Sequence, residues 1–201
     1  MDRGCLANAQ SGIKSIDDLR KAASSAVTGL DIGIPAVGSP AHVLSAAVSD
    51  RLGLKATLVP LAGEPGGVTS LLANQVPTFV FLVGSAQQYI EKGQMVPLLA
   101  FTRERLPELP QVPTVVEVFG DAQLAREGWL GVTTKAGSPP NVARSLELWT
   151  KRCLETPEFQ QAVRRSFFHP RFAGHVEFNK IVDEDIAFWS DWIRKLRITN
   201  D

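Results

Sequence analysis

Short runs of strand-type residues alternate with helix-type segments through the first 132 residues, and this alternation limits the fold more than any other feature. DIGIP (31–35), KATLVP (55–60), TFVFLV (78–83), VPLLAFT (96–102) and GWLGVTT (128–134) have strand length and apolar content. The helical segments are SIDDLRKAASSA (15–26), a run opening at Ser39, a run following GEPGG (63–67), and SAQQYIEKG (85–93), which Gly93 stops. Such alternation predicts an α/β fold with a mainly parallel sheet and right-handed crossovers. TFVFLV is a nearly unbroken apolar run, as expected for a strand covered on both faces. Pro77 and Pro97 lack backbone donors and belong at strand ends or on an edge.

Two helix starts are well marked. Ser15 with Asp18 three positions later is a variant of the capping box. At AVGSPAHVLSAAV (36–48), Ser39 is a good N-cap and Pro40 suits the first helical position. The opening turn of a helix carries unpaired N–H groups and partial positive charge. On local evidence the Ser39 hydroxyl alone satisfies those donors, or they hold an anion.

Beyond GWLGVTT the pattern changes. Residues 103–127 are irregular, with Pro107, Pro110 and Pro113 evenly spaced, and after residue 134 only helical stripes follow. Val142, Leu146, Trp149 and Cys153 form one stripe; Phe159, Val163 and Phe167 another; Phe178, Val182, Trp189, Ile193 and Leu196 a third. The expected organisation is an α/β unit over 1–132 and a helical segment over 133–201.

Charge excludes some functions. Twenty-one basic residues balance twenty-one acidic ones, which leaves no electrostatic footprint for nucleic acid or an anionic membrane. No apolar run reaches transmembrane length, and MDRGCLANAQSG has no signal-like apolar core. Cys5 and Cys153 are too few for a metal site or disulfide framework, and Cys153 reads as a small core residue.

Catalytic motifs are weak. Ser39 and His42 resemble a nucleophile and base, but VGSPA is not G-x-S-x-G and no carboxylate is placed to orient the imidazole. GEPGG lacks G-K-[ST] and dinucleotide spacing, so it reads as a tight turn whose amides can approach an anion. His169 and His175 lack metal-type spacing and read as surface or packing residues. Neither a cofactor nor a metal is indicated, and nothing requires catalysis.

Three stretches together carry a resemblance. GSPAH at a strand-to-helix junction, LAFTRERLPELPQVPTVVE (99–117) and GWLGVTTKAGSPPNV (128–142) resemble the Bug family, the TctC-like solute receptors of tripartite tricarboxylate transporters. The pattern R-x-x-x-L-P-x-V-P-T-x-x-E is the most specific of the three, and the resemblance runs from about residue 13 to the end. It implies a lobe of the type II periplasmic-binding-protein kind, followed by C-terminal helices of an incomplete second lobe. Small carboxylates would be held between lobes. Gly38, Ser39 and the turn Ala62–Gly66, with Gly63 and Glu64, would line one wall. Phe81, Gly84 and Ser85 would form the floor, and Trp129 with Gly131 would sit near the crossing between lobes. Where the family usually has an acid in or after the strand matching TFVFLV, this chain has Phe79, Phe81 and Leu82, which argues against an amino-acid ligand. The family's N-terminal segment, which begins with an export signal, is not matched by the opening residues, so the resemblance implies a truncated member.

The expectation is therefore a non-enzymatic, periplasmic solute-binding protein for small carboxylates, truncated, with transporter membrane subunits as partners. Its uncovered helical faces would favour a homodimer. A cytoplasmic small-molecule-binding or regulatory module is the alternative, suggested by the missing signal. An enzyme on a binding-protein fold comes third.

Overall fold

A computed structural model describes residues 2–165, 168 and 170–199. They form two compact units, one of residues 2–127 with 192–199 and one lying within 128–191, with the division falling inside the last helix. Phe167 and His169 lie outside the described residues.

The larger unit runs β1 (Arg3–Asn8), α1 (Ile16–Ser25), β2 (Leu30–Ile34), α2 (Pro40–Leu52), β3 (Ala56–Pro60), α3 (Gly63–Leu72), β4 (Thr78–Leu82), α4 (Val83–Glu91), β5 (Met95–Ala100) and α5 (Val115–Phe119). Its sheet has the order β3-β2-β4-β1-β5. β2 pairs in parallel with β3 and β4, while β1 is antiparallel to both β4 and β5. Four strands thus share one direction, and the mainly parallel α/β expectation holds.

β1 is the strand that pattern reading overlooks. Only Cys5, Leu6 and Ala7 give it an apolar centre, yet it fills the gap between β4 and β5, and those three residues are buried. Its register against β5 slips by one residue: Cys5 faces Leu99 and Leu6 faces Pro97, a bulge that leaves Leu98 unpaired. Pro97 is tolerated because β5 is an edge strand, and Pro77 stands just before β4.

β4 is covered as expected. Thr78, Phe79, Val80 and Phe81 are all buried, and the two phenyl rings lie 4.2 Å apart in a core with Leu6, Leu71, Val76, Ala86 and Met95. Each such large side chain contributes roughly 1.5–3 kcal/mol on burial.

Residues 103–119 are more ordered than their proline spacing suggests. Leu106, Leu109 and Val112 pack with Val83 and Ala100. Thr114 caps α5 in a full capping box with Glu117. Arg105 Nε donates to both Glu117 oxygens, at 2.9 and 3.1 Å, and its Nη1 donates to the Pro110 carbonyl. The arginine, leucine, valine, threonine and glutamate of the motif all serve to close this loop.

The smaller unit contains α6 (Pro140–Glu155), α7 (Pro157–Arg165) and the greater part of α8 (His175–Lys195). The strand expected at 128–134 is not formed, and Leu130 and Val132 are exposed. A strand takes its hydrogen bonds from neighbours, and among the described residues of this unit there is no other strand to supply them. Cys153 is exposed rather than core, since α6 buries none of its residues.

Candidate functional site

The chain leaves β2 through α2 toward β3 on one side, and leaves β4 through α4 toward β5 on the other. The boundary between β2 and β4 is therefore where connections diverge, and open α/β sheets place ligands outside the carboxyl ends of strands at such a point. Every sequence-predicted site residue except Trp129 and Gly131 falls at or beside the helix starts that follow β2, β3 and β4.

At the α2 start, Gly38 has φ 74°, and Pro40 takes the first helical position. Ser39 Oγ accepts the His42 N–H at 3.1 Å, and the Gly38 N–H donates to His42 Nδ1 at 3.0 Å. That second bond needs a neutral imidazole, and partial burial lowers the His42 pKa accordingly. The loop thus engages the Ser39 oxygen and the Gly38 amide internally. His42 is not a base for Ser39, because its Nδ1 is engaged by Gly38 and the hydroxyl meets only the His42 backbone.

GEPGG is not a turn ahead of a helix but the first turn of α3 itself. Ala62 is the N-cap and offers no side-chain acceptor. The Gly63 N–H is shared between Leu61 O at 2.8 Å and Pro35 O at 3.1 Å, which ties this helix to the end of β2. The Gly66 N–H closes onto Ala62 O.

α4 follows β4 without a loop, so its N-cap is Leu82, which has no side chain able to cap. The Val83 N–H donates to Asp2 O on the β1 side. Glu64 reaches across from α3: its Oε1 accepts the Leu82 N–H at 3.2 Å and its Oε2 accepts the Ser85 hydroxyl at 3.0 Å. The strand itself carries no acid, as its sequence shows, but tertiary packing brings one to its end. No local pattern could announce this, since the contact joins two helices.

Helix geometry leaves the amides of Ala41, Glu64, Gly84 and Ser85 without intrahelical acceptors. Phe81 is fully buried, so its ring is not open to a ligand. The same holds for Phe79.

Trp129 belongs to the smaller unit. Its indole N–H donates to Asp185 Oδ2 at 2.8 Å, and its ring meets Phe178 edge-on with centroids 4.9 Å apart. Phe178 also lies over Gly131, where a Cβ would stand 2.1 Å from the ring. These contacts fasten the start of that unit to α8. Farther along, His175 Nδ1 pairs with Glu147 Oε2 at 2.6 Å, and this hydrogen bond holds the Glu147 carboxyl below its usual range. Among the described residues no group of three or more His, Cys, Asp or Glu is placed to hold a metal ion. A concavity of about 620 Å³ lined by Lys14, Asp17, Arg20, Pro97 and Gln111 contains none of the predicted site residues.

A family model described as "Tripartite tricarboxylate transporter family receptor" matches residues 2–198. A UPF0065 protein from the tcbD-tcbE intergenic region of Pseudomonas sp. (strain P51) is 27% identical over 157 residues, 78% of this chain and 47% of that relative. A structure of a periplasmic transporter matches at TM-score 0.88 with 18% identity, covering 100% of this chain and 66% of the other. R. palustris Rpa4515 with adipate matches at TM-score 0.82 with 21% identity, covering 98% and 66%. The chain spans about half the length of this curated relative and under two-thirds of the solved chains.

Proposed function

The chain belongs to the tripartite tricarboxylate transporter receptor family, and we propose that it binds a small organic carboxylate at the carboxyl ends of β2, β3 and β4, without catalysis. The carrying observation is the gathering of three helix starts at adjacent strands, with amides at Ala41, Glu64, Gly84 and Ser85 left by helix geometry. Helix N-termini favour anions through both hydrogen bonds and dipole. The adipate in Rpa4515 supports a carboxylate in particular.

The periplasm is the expected compartment and transporter membrane subunits the expected partners, in keeping with the family and with the periplasmic relative. No helix among the described residues is long and apolar enough to cross a membrane. The exposed apolar side chains of Leu130, Trp149, Phe159 and Ile186 support self-association as well.

A thermal-shift screen of mono- and dicarboxylates, followed by calorimetry, tests the reading. A true ligand raises stability by about 2.7 kcal/mol at a hundredfold excess over Kd. If no carboxylate gives a saturable shift, the reading fails.

A further inference from the structure

We propose that Glu64 is a specificity-determining residue of this site, and that the protein takes monocarboxylates in preference to dicarboxylates. The inference rests on the carboxylate reading above. Both Glu64 oxygens are engaged at the α4 start, one by the Leu82 N–H and one by the Ser85 hydroxyl. α4 has no cap of its own, and the positive end of a helix favours one negative group. Glu64 supplies such a group from within the chain.

Glu64 is also held firmly. It sits in the first turn of α3, whose start is tied to β2 through the Gly63 N–H and the Pro35 carbonyl. No ion pair joins Glu64 to a lysine or arginine among the described residues, so its charge keeps its reach. β2 and β4 are neighbours, about 4.8 Å apart at ordinary sheet spacing. A short dicarboxylate anchored at the α2 start would bring its second carboxylate to Glu64. Two like charges there disfavour each other, and the Leu82 N–H and the Ser85 hydroxyl are already taken by Glu64. An apolar or hydroxylated far end meets no such opposition.

Calorimetry with hexanoate and adipate, which share a chain length and differ by one carboxylate, reads this preference. The wild type binds hexanoate about tenfold or more tightly than adipate. Glu64→Gln, which keeps the shape and removes the charge, narrows the ratio. Glu64→Ser, which also frees the Leu82 amide, shifts the ratio toward adipate by about tenfold or more. Cooperative thermal unfolding checks that each variant is folded. Adipate binding to the wild type as tightly as hexanoate, or a ratio unmoved by both substitutions, overturns the inference while the carboxylate reading stands. If neither acid binds any of the three proteins, both fall.

Discussion

A Cβ on Gly67 would lie 2.2 Å from two carbons of the Phe79 ring. Gly33 stands against the same ring, where a Cβ would be 2.7 Å away. α3 and β2 each have a glycine where they meet the fully buried Phe79 ring, which leaves room for it. The glycines of GEPGG are thus explained at least in part by packing, without any phosphate.

Gly67→Ala is expected to destabilise the protein. Alanine gains about 1 kcal/mol in helix propensity over glycine. Overpacking a closed core costs roughly 1–3 kcal/mol, and a buried ring has nowhere to retreat. Urea denaturation should show a lower midpoint, and adding Phe79→Leu should restore part of it. A midpoint raised by Gly67→Ala would mean that the ring yields easily.

Glu117 should shape the acid limb of stability. Its carboxyl is held below the usual range, first by the Thr114 N–H and then by Arg105. Folding therefore favours the ionised form. The stability it contributes is complete above the unfolded carboxylate value of about 4.3, and is lost as pH falls through the lower folded value. Thermal melts between neutral and acid pH should show a shallower acid limb in Glu117→Gln. Arg105→Ala should keep most of the slope, because the backbone donor is the larger cause.

Ser39→Ala separates a cap from a ligand contact. Loss of the hydroxyl that accepts the His42 N–H should cost about 1 kcal/mol of stability. If Ser39 also donates to a bound carboxylate, affinity falls by roughly 1.5–3 kcal/mol. Reduced stability with unchanged calorimetric affinity would make Ser39 a cap alone.

The two cysteines should differ sharply in reactivity. Burial pushes the Cys5 thiol up to about 12, whereas Cys153 is exposed on α6. A thiol reagent should titrate one group in the native protein and two after unfolding. Two fast groups in the native protein would mean that the β4–β1–β5 pairing opens readily.

Features that depend on residues within a turn or two of each other were legible along the chain. Ser15, Ser39 and Gly93 marked helix ends, and the apolar runs became β2, β3, β4 and β5 within a residue or two of their expected bounds. The proline-rich motif could be recognised without its role being apparent, because Arg105 and Glu117 meet only once the loop closes. The remainder was set by contacts between distant elements. β1 is a central strand because β4 and β5 leave a gap for it, not because its short apolar centre proclaims a strand. Residues 128–134 have strand-like content and no strand, for want of a neighbour to bond. Glu64 reaches the end of β4, and Phe79 wedges against Gly67, through contacts between elements far apart in the chain. Periodicity and caps are local energies that a sequence displays directly, whereas strand pairing and the placement of a charge are set by whichever distant groups folding brings alongside.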